Sequence, residues 1–290
     1  MVELEHLVAS QSKLGEGPVW HPQEQALYWL DILQGRLHRY DSYSHGHVVV
    51  ELGMVVSAMG IRQNGGMVMA TKKGFAFWDP TSGRFDFIDN PDPDESDNVR
   101  FNDGKTDRQG RFWAGKMGGS GSNSLFRLDP DCSTHRMENG ISTSNGLGWS
   151  PDNRLMYFTD SDAKVIYVYD FDPQTGEISR RRDFAHIPDD PREGLPDGLA
   201  VDSQGYIWSA RWGGWKIVRY APDGSIDREI PMPVEFPTSC TFGGPDLTDL
   251  YITSAWVEVQ PGKRGEQPMA GDVFRLKTEV QGLPEPYFMG

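Results

Sequence analysis

Cysteine is nearly absent. Cys132 and Cys240 are the only two in 290 residues, and they stand 108 positions apart. Such a pair makes neither a disulfide framework nor a paired-thiol metal spacing, and two packing or surface thiols fit a reducing compartment. No apolar run approaches the ~18 residues that a membrane-spanning helix requires. The opening residues, MVELEHLVASQSKLGEG, carry neither a basic start nor an apolar signal core. These absences predict a cytoplasmic protein with no membrane partner. Positive charge is also scarce: 28 Lys and Arg against 42 Asp and Glu leave a formal net charge of −14. A surface that negative repels phosphate backbones, so nucleic acid is not an expected partner, whereas cations and neutral small molecules are compatible with it.

Turn formers and large aromatics are abundant, with 33 Gly, 20 Pro and 9 Trp. That mixture suits short strands joined by tight turns. The strands recur in copies of one pattern: EGPVWHPQEQALYWLD from Glu16, SAMGIRQNGGMVMA from Ser57, NDGKTDRQGRFWAG from Asn102, NGLGWSPDNRLMYFTD from Asn145, DGLAVDSQGYIWSA from Asp197 and SCTFGGPDLTDLYITS from Ser239. Their internal turns set the register, and the six starting residues are then spaced by 41, 45, 43, 52 and 42 positions. A further strand pair follows each copy, as in KVIYVYDFDPQTGEIS, where Val165 to Tyr169 alternate as a half-buried pleat does. Each unit therefore holds about four short strands, the size of a propeller blade. The expectation is all-β: one six-bladed β-propeller domain over residues 1–290, with four-stranded blades around a central channel. The acidic segment 90–97, between the second and third units, lacks the sixth-position Gly and flanking helices of an EF-hand and reads as a solvated connection.

In a propeller the innermost strand of each blade lines the channel, so residues in equivalent phase converge at one mouth. Here that set is Glu16, Ser57, Asn102, Asn145, Asp197 and Ser239, all polar. Asn, Asp and Ser are common at strand-start turns, but that preference does not account for Glu16 between two glycines. An unpaired carboxylate beside a buried axis is costly. A bound cation would offset the cost, and carboxylates with amide oxygens make a hard-oxygen site for a divalent ion.

The motifs LGEGPVW around Glu16, RFNDGKTDRQGRFWAGKM from Arg100, SNGLGWSPD around Asn145, LPDGLAVDSQGYIW around Asp197 and CTFGGPDL from Cys240 resemble the SMP30/gluconolactonase/luciferin-regenerating family, almost end to end. The resemblance implies a six-bladed propeller and one divalent metal ion on Glu16, Asn145 and Asp197. It also implies sugar contacts from Arg100 and Asn102, and hydrolysis of a sugar lactone to the aldonic acid. Asp197, touching both ion and water, is the candidate general base. The ion's identity stays open among calcium, zinc, manganese, magnesium and iron(II). A monomer or weak homo-oligomer is expected. One departure stands out: after Lys116 and Met117 comes GGSGSNS, 118–124, where members of the family often carry a longer segment with an acidic residue that meets sugar hydroxyls.

Two other chemistries fit the sequence less well. No G-x-S-x-G elbow occurs, and none of His6, His21, His38, His45, His47, His135 and His186 falls in the axial phase, which argues against a serine nucleophile. A non-catalytic propeller, serving as a protein-interaction or small-molecule/metal-binding module, would use Trp212 and Trp215 as a partner surface, although blade packing is the commoner use of such aromatics. A pure scaffold has no need of a polar axis.

Overall fold

In this computed structural model residues 4–93, 99–119 and 121–290 are described. They form 24 strands, β1 to β24 in chain order, and two short 3-10 turns, with no α-helix among the described residues. None of the helical segments is long and apolar enough to cross a membrane. Six antiparallel sheets of four strands each make a six-bladed β-propeller. The innermost strands are β2 (Gly15–His21), β6 (Val56–Ile61), β10 (Arg100–Thr106), β14 (Ser144–Trp149), β18 (Leu195–Val201) and β22 (Pro237–Gly243). The last blade takes its outer strand from the other end of the chain: β1 (Leu4–Val8) pairs with β24 (Val273–Lys277). That exchange closes the ring with backbone hydrogen bonds, leaving no unpaired seam there.

Neighbouring blades pack face to face, so most strands are covered on both sides. The strand β16 (Val165–Phe171) shows this. Val165, Ile166, Val168 and Tyr169 are all buried, and the alternation expected of a half-buried pleat gives way to burial on both faces. Only fourth strands such as β17 (Ile178–His186) are mostly exposed. Close packing at the axis depends on glycine. A Cβ at Gly146 would lie 2.4 Å from the Leu199 nitrogen, and one at Gly198 would lie 2.1 Å from Ser239 Oγ. Asn145-Gly146 is therefore not a turn. It lies inside a strand whose glycine admits the next blade.

Every inner ladder carries a register break near its upstream end. The breaks fall between Glu16 and Val19, Val56 and Ala58, Phe101 and Gly104, Ser144 and Leu147, Pro196 and Leu199, and Pro237 and Ser239. Bulges of this kind re-aim side chains. They also correct the register of the sixth copy. Pro237 pairs with Ser254 and Ser239 with Thr253, so Thr238, one residue earlier, occupies the position of Asn145. His21 ends the inner strand β2, whereas His38 lies in β4 (Arg36–Asp41) and His47 in β5 (His47–Glu51), an outer hairpin. Cys132 and Cys240 are free thiols, the first exposed and the second buried. Of the acidic connection, residues 94–97 lie outside the described residues, as does Ser120 of the Gly-Ser segment.

Candidate functional site

The upstream ends of the inner strands open into a cavity of about 410 Å³, within the range of small-molecule sites. Glu16, Arg100, Asn102, Asn145 and Asp197 all line it. The sequence thus named five residues, from four blades, that the fold brings together. Ser57 does not line this cavity, and Ser239 lies toward the other end of the channel with Asp103, Lys105 and Glu285. That other end narrows to a space of about 10 Å³, hardly enough for one water.

Each polar group in the cavity has a defined partner or a conspicuous lack of one. Arg100 donates from one nitrogen to Asn102 Oδ1 at 2.6 Å and to the Phe101 carbonyl at 2.9 Å. Asn102 in turn donates from Nδ2 to the Ser144 carbonyl of the next blade at 2.8 Å. Asn102 is therefore tied at both ends and holds the guanidinium in place. Asn145 donates from Nδ2 to Ser161 Oγ at 2.9 Å, and Ser161 donates to the Pro196 carbonyl at 2.7 Å. Asn145 Oδ1 is buried with no hydrogen-bond partner. A buried acceptor left without a donor costs about 1–3 kcal/mol.

Burial dominates the electrostatics. It pushes the Glu16 carboxyl up to about 8, with the Asp103 carboxylate adding to the rise and the Gly17 N–H and Arg100 opposing it. Asp197 is raised well above the usual carboxylate range by burial, then by Glu16 and Asp103. The Arg100 guanidinium is brought down to about 10 by burial, against the pull of Glu16 and Asp197. The pocket accordingly holds two carboxyls that resist ionisation and one carbonyl-type oxygen lacking a partner. Both conditions are relieved by a positive centre among them. Among the described residues no three or more His, Cys, Asp or Glu side chains form a metal-holding group. The set here is two carboxylates and an amide.

Several lining residues were not read from the sequence as site residues. Met117, Asp162, Trp212, Val257 and Glu258 belong to the mouth, at or just beyond the ends of second strands such as β15 (Leu155–Asp160), β19 (Ile207–Trp212) and β23 (Asp249–Ser254). Trp212 is thus a cavity residue and not only blade packing, while Trp215 is 42% exposed. Its place at the end of the IWSARW strand, two copies' worth of pattern after the DRQGRFWAGKM strand that ends at Met117, is the signal that could have found it.

Known proteins share this chain's sequence and shape over nearly its whole length. A pentonolactonase of Haloferax volcanii is 39% identical over 289 residues, covering 96% of each chain. A 6-deoxy-6-sulfogluconolactonase of Pseudomonas putida is 38% identical over 296 residues, covering 99% of each. A crystal structure of regucalcin, a calcium-binding protein of Agrobacterium tumefaciens, superposes with a TM-score of 0.92 at 28% identity, over 99% of this chain and 97% of that one. Two of these relatives are named as sugar lactonases, and the third shares this chain's propeller. Residues 14–256 match the SMP-30/Gluconolactonase/LRE-like region, and the chain belongs to that family.

Proposed function

We propose that the cavity hydrolyses a sugar lactone to its aldonic acid, with a divalent cation held by Glu16, Asn145 and Asp197. The observation that supports this most is the buried, partnerless Oδ1 of Asn145 beside two carboxyls that burial makes reluctant to ionise. Three hard oxygens short of positive charge fit calcium, magnesium, manganese, iron(II) or zinc. When bound, such an ion supplies Lewis acidity to an acyl oxygen and to water.

The chain's own groups do the rest. Arg100 is locked by Asn102 and Phe101, and its remaining N–H groups face the substrate's oxygens, fixing the ring for attack. Asn102 positions Arg100, and its second amide N–H and second Oδ1 lone pair remain for a sugar hydroxyl. Asp197 takes the proton as water adds to the acyl carbon, and returns it to the ring oxygen as the acyl–oxygen bond breaks, giving one carboxylic acid and one hydroxyl. A protein-interaction scaffold leaves the 410 Å³ cavity without a purpose, and a small-molecule or metal-binding module differs from the proposed enzyme only in turning nothing over.

The test is a panel of aldonolactones assayed on chelator-stripped protein, resupplied with one ion at a time. Hydrolysis returning with a divalent ion supports the proposal. Full hydrolysis by stripped protein refutes the cation's role, and hydrolysis of no lactone with any ion refutes the activity.

A further inference from the structure

The mouth of the cavity carries chemistry that hydrolysis alone does not require. The ring of Trp212 packs at 4.7 Å against Phe236, tilted by 50°, and so is held from behind. Its indole N–H donates to a Glu258 carboxylate oxygen at 3.2 Å. Across the mouth, the Asp162 carboxylate accepts from Thr143 Oγ1 at 2.5 Å. Each carboxylate is thereby anchored through one oxygen and keeps lone pairs for another donor. Trp212, Glu258, Asp162 and Thr143 all line the cavity that holds Glu16 and Asp197.

An aromatic face beside fixed acceptors matches a sugar, which offers C–H faces and hydroxyl donors together. Charge then decides which sugars fit. Among the described lining residues Arg100 is the only Lys or Arg, and it lies within the cavity, bonded to Asn102. Among the described residues the rim presents two carboxylates and no cation. A phosphate, sulfonate or carboxylate on the sugar would face like charge there and find no guanidinium or ammonium to receive it.

We infer that Trp212, Glu258 and Asp162 form a sugar-recognition rim that restricts the site to uncharged aldonolactones. This rests on the lactonase reading above and adds its substrate class. It also answers the missing acid of the 118–124 segment: Glu258 and Asp162 supply hydroxyl acceptors from two other blades.

The experiment compares gluconolactone with 6-phosphogluconolactone, an anionic counterpart of the same ring, on ion-loaded wild type and on the Asp162→Asn, Glu258→Gln double variant. Wild type is expected to show a kcat/KM at least roughly tenfold higher for the neutral lactone, and the near-isosteric double variant to shrink that ratio by about fivefold or more. Equal efficiencies in wild type, or a ratio the double variant leaves unchanged, would overturn the inference. Binding of gluconolactam and its 6-phosphate, read by calorimetry, separates this from failure of hydrolysis. If neither lactone is turned over with any ion, the activity reading fails. Tighter binding of the neutral lactam then still supports the rim, whereas equal binding or none overturns it.

Discussion

At Asn145 one oxygen atom carries much of the argument. Its amide is half satisfied, through Ser161, and half buried without a partner. Most buried polar groups in folded proteins are paired, and what sets this orphan oxygen apart from others is its place in the lining of the cavity that holds Glu16 and Asp197. Asp197 lies in the same cavity and Ser57 shares its phase, yet only the first faces the cavity, and Ser57 Oγ is another buried group without a partner. The two positions therefore make a matched comparison. Asp197→Asn preserves shape while removing a charge and the proton acceptor, and should lower kcat/KM by about 10²-fold or more. Ser57→Ala deletes a hydroxyl that bonds to nothing and should change activity by less than about tenfold. Lactone assays on both variants, at matched folding, check this. Equal losses would show that axial phase, not a carboxylate in the cavity, is what matters.

Elements place these residues, and the devices that fix the elements are local. In the third blade Asp107 accepts from the Trp113 indole at 3.0 Å and from Arg111 Nε at 2.6 Å. In the fifth, Asp202 accepts from the Trp208 indole at 3.0 Å and from Arg219 at 2.6 Å. Both aspartates also cap their own turn, through Gln109 and Gln204 N–H groups at 2.9 Å. Asp202→Ala would leave the Trp208 indole N–H, Arg219 Nε and the Gln204 and Tyr206 N–H groups without their acceptor, a loss of about 3 kcal/mol or more, even though Asp227 and Gln204 still hold the guanidinium. Thermal unfolding should fall by roughly 5 °C or more, and a shift under about 2 °C would contradict this account. The same D-x-Q-G turns made the repeat readable from sequence, because turn chemistry and strand pattern are local properties. The sixth copy has Gly244-Pro245-Asp246 instead, and its ladder runs on through Gly243, so counting back from the turn chose Ser239 over Thr238. The rim was not readable for a different reason. Trp212, Asp162 and Glu258 leave second strands at different distances, and only ring closure brings them to one mouth. Glu16, Asn102, Asn145 and Asp197 were readable because they begin copies of the pattern, whereas Arg100, two positions ahead of Asn102, was named only through the family resemblance.

For the whole molecule, the axis concentrates acid in a chain already at −14. Burial raises Glu16 to about 8, from an ordinary 4.5, and raises Asp197 too. Both native values exceed those of the unfolded chain, so the cation-free native state keeps protons that the unfolded chain releases. The stability these protons contribute is full below the ordinary carboxylate range and is lost as pH rises toward 8. An ion that replaces them should restore progressively more stability across that window. Thermal unfolding near pH 5 and near pH 8, with and without ion, reads the difference, and an ion effect independent of pH would contradict it.

The most direct test of the cation-dependent site is a titration of chelator-stripped protein with a single divalent ion, following bound ion and lactone hydrolysis together. Negligible hydrolysis is expected at zero occupancy, with a linear rise as Glu16, Asn145 and Asp197 fill and a plateau at about one ion per chain. Hydrolysis at full rate with no ion bound, or a rate unmoved as the ion binds, would contradict it.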